Sequence, residues 1–456
     1  MTRRDLLGGL AAMQRPGRPN VVLLLADDMG WGDPACYGNP DVPTPHIDGL
    51  AASGMKFESF YAASAVCTPS RAAILTGRYP LRFDIRKHFT DDETHLPPTV
   101  TLPKLLRDAG YRTAHVGKWH LGGLHLKQLD GPRTIPGPRE HGFEHYQCQN
   151  EEQPLRTKLG AAETLFRKGG TCLIRDDRRV GEDDSYFRMH FTDINGEESA
   201  RMIDEYHRAG RRFFLNTWFL APHKPYEPAP APFWERAAAD GISEDQRRYR
   251  SMVMHLDHQV GRIVGKLEDL GIRRNTLIVF ASDNGGAFEA RLGGWKGGKT
   301  DLHEGGIRVP GIVSWPERIA GGKTTREFGH HCDILPTVCA AAGVKAPAGD
   351  GVNLLPMLTG GATPRRGVVH WQIDHYPKLQ RHYAKPKPYA TEATRDGRWK
   401  MLSNDGRPVA VYDLAADPGE ERNLLDGQGA RAARMAEAVR AFLTAERDRR
   451  GVAPSN

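Results

Sequence analysis

The sequence predicts an α/β fold, in which helices cover both faces of a large, mixed, mostly parallel sheet and a smaller antiparallel sheet with a helix follows. The stretches 20–28 (NVVLLLADD) and 275–285 (NTLIVFASDNG) are continuous apolar runs that end in polar residues, as strands buried inside a parallel sheet are. Helical patterns alternate with such strands along the chain, which is typical of a parallel sheet between helices. The length of 456 residues allows one large domain with a smaller addition.

The shorter elements follow from apolar periodicity and from the glycine and proline residues between them. In chain order these are a helix in PHIDGLAASG, a strand in KFESFYA, a helix in TLPKLLRDAG, a strand in YRTAHVGKW, a helix in EESARMIDEYHRAG and a strand in RRFFLNTWFLA. The region from about 132 to 195 is polar, glycine-rich and weakly periodic. We expect long loops over one face of the domain there.

The clearest helix is predicted over residues 244–270. Its apolar residues recur every three or four positions and make one apolar face; they are Val253, Leu256, Val260, Ile263, Leu267 and Leu270. Gly271 ends the helix, and the second of the two apolar strands follows.

Short strands separated by turn dipeptides replace this pattern near residue 365. RGVVHW, PYATEATRDGRWKMLS and PVAVYDL predict an antiparallel sheet, and a helix is predicted from about 430 to 447. We therefore expect a terminal segment at 1–19, a main α/β domain at 20–365 and a C-terminal α+β subdomain at 366–456.

The charge balance favours anionic partners. The net charge is +7, and the Lys and Arg residues are spread along the chain without a nucleic-acid-binding motif. We therefore expect a small anionic group or a polyanionic glycan as the partner, and no nucleic acid.

Six cysteines in a chain of this length do not make a disulfide scaffold. Cys332 and Cys339 are predicted on one helix, roughly 10 Å apart, which is too far for a bridge. No stretch is long and apolar enough to span a membrane. Arg3 and Arg4, followed by two leucines, resemble a twin-arginine export signal, so we expect a periplasmic or secreted protein, with a disordered N-terminus and a cytoplasmic protein as the alternative.

Oxygen-bearing side chains follow both apolar strands. Asp27 and Asp28 end the first strand, and Asp283 and Asn284 end the second. Ligands bind beyond the carboxyl ends of parallel strands, and clustered carboxylates repel one another unless a cation lies between them. A divalent hard cation, Ca²⁺ or Mg²⁺, is therefore predicted here, although either pair alone could simply cap the element that follows.

Three further segments carry groups that suit an anion and a proton transfer. Lys118 and His120 end a predicted strand on one face. His223 follows another strand between two prolines, where a general acid could be held. Lys296 and Lys299 lie in a glycine-rich loop that would let the backbone approach a ligand. Taken singly, each could equally be a polar strand end, a structural histidine or a solvated turn.

The stretch CTPSRAAILTGR, from Cys67 to Arg78, fits the C-x-P-S-R-x-x-x-L-T-G-R signature of the formylglycine-dependent sulfatases at every fixed position. LLADDMG, GKWHLG, APHKPY and SDNGG are similar to other landmarks of that family, in the same order. The resemblance runs from about residue 20 to 425. It implies an alkaline phosphatase-like fold with the catalytic domain at 20–365, and a formylglycine-generating enzyme that oxidises Cys67 to formylglycine.

The resemblance also implies a role for each site residue. Asp27, Asp28, Asp283 and Asn284 would hold the metal, usually Ca²⁺ in this family and less often Mg²⁺, with the modified Cys67 beside it. Arg71 would stabilise the ionised hydrate of formylglycine. Lys118 and Lys299 would bind sulfate oxygens. His120 would take the proton that triggers sulfate release, and His223 would protonate the leaving alcohol. Lys299 is chosen over Lys296 because it takes the position of the family's lysine.

Substrate contacts are expected around this core. His303 could reach the substrate or pack its own loop. The aromatic and basic segment HWQIDHYPKLQRHYAKPKPY could line a sugar site or lie as a solvated loop. The residues of that segment expected to touch substrate are Trp371, His375, Tyr376, Lys378 and Arg381.

The function predicted from these features is hydrolysis of a sulfate ester on a sulfated carbohydrate. Two alternatives stay open: a phosphodiester or phosphonate monoester hydrolase with the same nucleophile, and a catalytically silent glycan-binding relative in which Cys67 is unmodified. The additional Asp and His ligands of two-metal phosphatases are not evident. His330, His331 and Asp333 resemble such ligands, but Asp333 precedes an apolar helical run and is predicted to be its N-cap.

Overall fold

A computed structural model describes residues 17–88, 94–124, 129, 131–149, 166–167, 170–171, 173–181, 183–187, 189–374 and 388–450. The strands are β1 (Asn20–Ala26), β2 (Met55–Tyr61), β3 (Arg112–Lys118), β4 (His145–Gln149), β5 (Phe166–Arg167), β6 (Gly170–Thr171), β7 (Leu173–Arg175), β8 (Arg178–Arg179), β9 (Phe213–Trp218), β10 (Thr276–Ser282), β11 (Arg308–Ser314), β12 (Lys323–Thr325), β13 (Gly329–His330), β14 (Val369–Gln372), β15 (Glu392–Asp396), β16 (Trp399–Asn404) and β17 (Arg407–Asp413). The α-helices are α1 (Pro45–Ala52), α2 (Cys67–Thr76), α3 (Leu102–Asp108), α4 (Phe191–Arg208), α5 (Phe233–Arg236), α6 (Glu244–Asp269), α7 (Glu304–Ile307), α8 (Ile334–Ala341), α9 (Leu355–Leu358) and α10 (Gly429–Arg450).

The larger sheet is mixed and mostly parallel, as predicted. Its central strands run parallel in the order β10-β1-β9-β3-β4. On one side β11 and then β2 continue the sheet antiparallel, and β12 and β13 pair with β2 in parallel. On the other side the antiparallel strands β7 and β8 close the sheet. The α/β fold class is therefore confirmed.

Strand β1 shows why this sheet is buried on both faces. Its side chains alternate between two apolar clusters, with Val21, Leu23 and Leu25 on one face and Val22 and Leu24 on the other. Each of these side chains is at most 1% exposed, and alternation is what a strand's two-residue period imposes. The continuous apolar run that predicts β1 is the consequence of helices on both sides.

The expectation of long loops between 132 and 195 was wrong in part. Strand β4 pairs in parallel with β3, β7 and β8 extend the same sheet, and helix α4 already begins at Phe191. Strand β4 has the sequence HYQCQ and is buried, so its polar side chains hide the usual apolar signal.

The helix predicted at 244–270 is confirmed as α6. Ser243 and Gln246 form a capping box at its start, which satisfies free backbone N–H groups of the first turn. Its apolar face packs in the same cluster as Val22 and Leu24. The C-terminal helix is α10, and it is close to the predicted bounds.

The smaller sheet is antiparallel, in the order β14-β15-β16-β17. Met401 and Val411 pack against Met435 and Val439 of α10, so the sheet and the helix form one layer pair as predicted. Within the described residues the cysteines are free thiols, and Cys332 and Cys339 are buried. No helix among the described residues has the length and apolar character needed to cross a bilayer.

Candidate active site

Cys67 is the first residue of α2, and it points into the protein. Val66 before it is extended, every residue of α2 is buried, and Gly77 ends the helix in the left-handed conformation that glycine adopts readily. The thiol is 1% exposed and lies 3.6 Å from Asp27 Oδ1. Burial raises the pKa of the Cys67 thiol to about 12. An unmodified Cys67 is therefore a neutral thiol and a weak nucleophile.

Four oxygen-bearing side chains meet where β1 and β10 end. The two strands are parallel neighbours in register, with Ala26 opposite Ser282, so the residues that follow them leave the sheet side by side. All four are buried: Asp27, Asp28, Asp283 and Asn284. This placement agrees with the prediction from the carboxyl ends of parallel strands.

Hydrogen bonds join Asp28 to Asn284 and to Asp283. Asn284 Nδ2 donates to Asp28 Oδ1 over 2.7 Å, and the backbone N–H of Asp28 donates to Asp283 Oδ1 over 3.2 Å. Asp28 has a φ of 63°, which is uncommon for a residue with a Cβ and is found most often at functional sites. Asn284 Oδ1 is buried and accepts no hydrogen bond from any described residue.

Three cations face these carboxylates. Arg71 Nε and Nη2 donate to Asp283 Oδ2 over 3.0 and 2.7 Å. Lys118 Nζ lies 2.6 Å from Asp27 Oδ2, and Lys299 Nζ lies 2.7 Å from Asp28 Oδ2. Three carboxylates therefore face three cations: Asp27, Asp28 and Asp283 against Arg71, Lys118 and Lys299.

The pKa values of Asp27 and Asp283 are shifted in opposite directions. Burial alone would raise the pKa of Asp27, but the charges of Lys118 and Arg71 outweigh it and lower the pKa below its ordinary value. Burial, together with the charge of Asp27, raises the pKa of Asp283. A cation close to both carboxylates would relieve the repulsion between them.

The two predicted histidines lie in the same region. His223 Nε2 is 3.1 Å from Lys299 Nζ and 3.5 Å from Asp28 Oδ2. His120 has a φ of 60°, and burial, reinforced by the charge of Lys118, holds the pKa of His120 well below its ordinary value. A neutral imidazole can accept a proton, as the predicted role of His120 requires.

His88 is a titratable group that the sequence did not single out. Burial, followed by the charges of Lys299 and Lys118, lowers the pKa of His88 to about 4. Its sequence context, RKHFT, carries no motif that predicts a place near the lysines.

Two of the residues predicted to touch substrate lie within the described residues, and both are buried. Trp371 is 2% exposed, and its Nε1 donates to the carbonyl of Ala62 over 2.8 Å. His303 is 1% exposed, and its Nδ1 lies 2.6 Å from Asp301 Oδ1. These placements do not support a direct sugar contact by Trp371 or His303, because both side chains are enclosed by protein. The remaining candidates lie outside the described residues: His375, Tyr376, Lys378 and Arg381.

Lys296 and Asp333 have structural partners. Lys296 Nζ donates to the carbonyl of Glu420 over 2.9 Å. Asp333 stands at the N-cap position of α8, but its carboxylate accepts from the backbone N–H groups of His330 and Val352 and pairs with Arg366. The N-cap position is thus confirmed, whereas its side chain does not cap the helix.

The residues at the ends of β1 and β10 fit a hard divalent cation. They supply buried carboxylate and amide oxygens, which are the ligands that Ca²⁺ and Mg²⁺ take. Asn284 Oδ1 lacks a partner among the described residues, and a buried carbonyl oxygen without a partner is costly. Ligand atoms of Asp27, Asp28, Cys67 and His223 lie within 4.8 Å of one another.

Comparisons with known proteins agree with this geometry. The sulfatase family model matches residues 19–344, and a second model, N-sulphoglucosamine sulphohydrolase, C-terminal, matches residues 294–447. The N-acetylgalactosamine-6-sulfatase of Canis lupus familiaris is 35% identical over 402 residues, which cover 80% of this chain and 71% of that protein. Arylsulfatase A of Homo sapiens is 32% identical over 465 residues, 93% of this chain and 87% of that protein.

Solved structures resemble the whole fold. The crystal structure of Ps i-CgsB, which is also known in complex with k-i-k-neocarrahexaose, has a TM-score of 0.78 and is 28% identical, with 93% of each chain covered. The family model covers most of the main sheet, and two relatives exceed 30% identity over most of their length. The chain therefore belongs to the sulfatase family, and it is a sulfuric ester hydrolase with the alkaline phosphatase-like fold.

Proposed function

We propose that this protein removes sulfate from a sulfated carbohydrate, with formylglycine formed from Cys67 as the nucleophile and Ca²⁺ as the metal. The observation that carries the proposal is the place of Cys67. It lies 3.6 Å from Asp27 Oδ1, at the start of a buried helix, and its sulfur is within 4.8 Å of ligand atoms of Asp28 and His223. The charges of Lys118 and Lys299 act on this thiol, and a purely structural cysteine would not need them.

The modified residue and the metal would supply what the chain itself lacks. Formylglycine, as its hydrate, offers two hydroxyl groups on one carbon: one to attack sulfur, and one whose deprotonation expels sulfate and restores the aldehyde. A bound Ca²⁺ lowers the pKa of a hydroxyl group and polarises sulfate oxygens. Asp27, Asp28, Asp283 and Asn284 would hold it, and hard oxygen ligands in this number favour Ca²⁺ over Mg²⁺, which keeps more of its water.

The lysines bind the charged end of the substrate. Lys118 and Lys299 now pair with Asp27 and Asp28. A divalent cation on the carboxylates would free both ammonium groups to donate to sulfate oxygens. Charge that develops on those oxygens in the transition state is then met by fixed donors in a buried site.

The histidines move the protons. His223 is on the loop after β9, with Nε2 3.1 Å from Lys299 Nζ, so it can protonate the alcohol oxygen of an ester whose sulfate is held by Lys299. His120 is neutral because burial and the charge of Lys118 lower its pKa. It can take the proton of the second hydroxyl group as sulfate leaves.

A carbohydrate substrate is supported by the relatives and by charge. The dog protein is an N-acetylgalactosamine-6-sulfatase, and Ps i-CgsB has been solved in complex with k-i-k-neocarrahexaose. The net charge of +7 attracts a polyanionic glycan.

Maturation and location follow from the same proposal. A formylglycine-generating enzyme would modify Cys67, and we propose the periplasm or secretion as the destination, on the strength of Arg3 and Arg4. We further propose that the chain divides into a catalytic domain at 20–365 and a C-terminal subdomain at 366–456.

The test combines mass spectrometry with a desulfation assay. The protein is produced with a formylglycine-generating enzyme, and the peptide that contains Cys67 is weighed. We expect the mass of formylglycine and sulfate release from sulfated oligosaccharides. The variant Cys67→Ala should keep the fold and release none.

The alternatives give different outcomes. Faster turnover of a phosphonate ester than of every sulfate ester, by the modified protein, would favour the phosphonate hydrolase. An unmodified Cys67 in every preparation, with no turnover of any ester, would favour the silent glycan-binding relative.

A further inference from the structure

Phe288 is an apolar side chain in an unfavourable place. It is 44% exposed, and Val100 is the other large apolar side chain with comparable exposure in the described part of the chain. Its φ is 47°, a conformation that a residue with a Cβ adopts at a cost and that glycine would adopt freely. The turn from Ala287 to Ala290 accounts for this φ. It does not account for an exposed aromatic side chain at that place, and a ligand contact would account for it.

The backbone around Phe288 is tied to the active site. The N–H of Lys299 donates to the carbonyl of Gly286 over 2.9 Å, two residues before Phe288, and the N–H of Ala290 closes a turn on Ala287. Farther along, the N–H of Arg291 donates to a buried carboxylate, that of Asp33. Two residues span at most about 7 Å, so this hydrogen bond holds the Phe288 segment close to the loop that carries Lys299.

A second contact joins the Phe288 ring to the loop that carries His223. Lys224 Nζ lies 4.5 Å from the centre of the Phe288 ring, a cation–π distance. Lys224 directly follows His223, the residue proposed to protonate the leaving alcohol. The loop of His223 and Lys224 therefore meets the loop of Phe288 and Lys299 at two points, His223 with Lys299 and Lys224 with Phe288.

Lys224 is held but is still accessible. Its Nζ lies 3.1 Å from Asp245 Oδ2, and the two side chains are 42% and 48% exposed. An exposed ion pair of this kind contributes little and is readily exchanged for another anion. Lys224 can thus meet an anionic group that stands over the Phe288 ring.

We propose that Phe288 and Lys224 form a sugar-binding platform beside His223. The platform takes the pyranose ring of the leaving alcohol against the face of Phe288 and a second anionic group of the substrate against Lys224. Apolar C–H faces of a sugar and an aromatic ring bury surface together. The inference rests on the proposed function, since it assigns the alcohol part of the same ester.

The first experiment separates the ring from the reaction. We compare kcat/KM for a sulfated disaccharide and for a short alkyl sulfate, which has the same kind of leaving oxygen but no ring. Phe288→Ala should lower kcat/KM for the disaccharide about tenfold, or about 1.4 kcal/mol, and change the alkyl sulfate by about twofold at most. Phe288→Trp should keep the wild-type value, and Val100→Ala serves as the matched control.

The second experiment isolates the cation. The same disaccharide is used with and without one further sulfate group. Lys224→Gln should lower kcat/KM about tenfold for the form with the further sulfate and leave the simpler form unchanged. Lys323→Gln, on the edge strand β12, is the control for the loss of one positive charge.

Equal losses on the disaccharide and the alkyl sulfate would show a structural role for Phe288 and overturn the platform, as would no loss on either. If the wild type hydrolyses no sulfate ester, the proposed function fails, and calorimetry with the disaccharide decides the platform separately. Weaker binding by Phe288→Ala than by wild type would then support it, and equal binding would overturn it.

Discussion

Lys299 and Lys296 lie three residues apart on one glycine-rich loop, and their side chains have different partners. Lys299 Nζ contacts Asp28 and His223, whereas Lys296 Nζ donates to the carbonyl of Glu420. The side chain of Lys299 is 10% exposed, so an anion held by it would be largely removed from water. The two lysines therefore offer a matched pair for mutation.

Lys299→Ala should lower kcat by about 10²-fold or more, because one fixed donor to the developing charge is lost. Lys296→Ala should lower it by less than about tenfold, since the described contacts of that side chain are the carbonyl of Glu420 and the ring of Tyr412. Steady-state kinetics on the best sulfated oligosaccharide measure both. Equal losses would contradict the choice of Lys299.

Asn284 tests the metal site without relying on turnover. Asn284→Leu removes the buried Oδ1 and the hydrogen bond to Asp28 Oδ1. We expect the affinity for Ca²⁺ to fall by about 10- to 100-fold, as measured by calorimetry on protein stripped with a chelator. Asn353→Ala, in a loop before α9, is the control, and an unchanged affinity in Asn284→Leu would remove Asn284 from the ligand set.

The sequence was sufficient for those residues whose position follows from a strand end. Asp27 and Asp283 could be placed together because each ends an apolar run and the runs are parallel neighbours. His88 could not, because no strand or motif specifies where its loop folds. Trp371 also could not, because the sequence of a short strand does not say which of its faces meets the main domain.

At the scale of single elements, β4 shows how a polar sequence can form a central strand. Gln147 Oε1 accepts from Arg175 Nε of β7 over 2.6 Å, so a side-chain hydrogen bond to the next strand joins the backbone pairing. His145, at the start of β4, lies between two carboxylates, with Nδ1 2.8 Å from Asp176 and Nε2 2.7 Å from Glu198. A ring that donates from both nitrogens is positively charged.

This arrangement predicts a pH-dependent stability. Burial alone would lower the pKa of His145, but hydrogen bonds to Asp176 and Glu198 outweigh it and raise the pKa. Stability from a raised histidine pKa is complete below the unfolded value of about 6.5 and is lost as pH rises through the folded value. His145→Gln should therefore lower the unfolding temperature more at about pH 6 than at about pH 10.

Thermal unfolding of both proteins across that range measures the difference. His207→Gln, at the last turn of α4, is the control, since no carboxylate contact is described for it. A loss that is equal at both ends of the range would show that His145 contributes by packing and not by charge.

At the scale of the whole molecule, the small sheet is joined to the active-site loop by buried charges. Lys400 Nζ of β16 lies 3.0 Å from Glu304 Oε1 and 2.9 Å from Glu420 Oε1, and all three side chains are fully buried. The N–H of Glu304 also donates to Glu420 Oε2 over 2.6 Å. Glu304 begins α7, five residues after Lys299, so the C-terminal sheet fixes the end of the loop that carries this lysine.

Two opposing charge effects act on this cluster. Burial alone would lower the pKa of Lys400, but the charges of Glu304 and Glu420 outweigh it and raise the pKa. Burial alone would raise the pKa of Glu304, but the charge of Lys400 outweighs it and lowers the pKa to about 2. The ion pair between Lys400 and Glu304 is therefore maintained across the ordinary pH range, whereas burial raises the pKa of Glu420. Both contacts carry a desolvation cost that an apolar contact would avoid.

Lys400→Met tests whether the cluster positions the loop. It removes the cation from Glu420 and leaves Glu304 with Arg308 alone, so we expect a loss of about 3–5 kcal/mol in the free energy of unfolding, together with a lower kcat. In the double variant Lys400→Met/Glu420→Gln one of the stranded charges is removed, so stability should return in part. Denaturant unfolding and steady-state kinetics are measured on the same samples. Recovery of stability without recovery of kcat would show that the cluster positions Lys299. Recovery of both in parallel would show that Lys400 supports the fold alone.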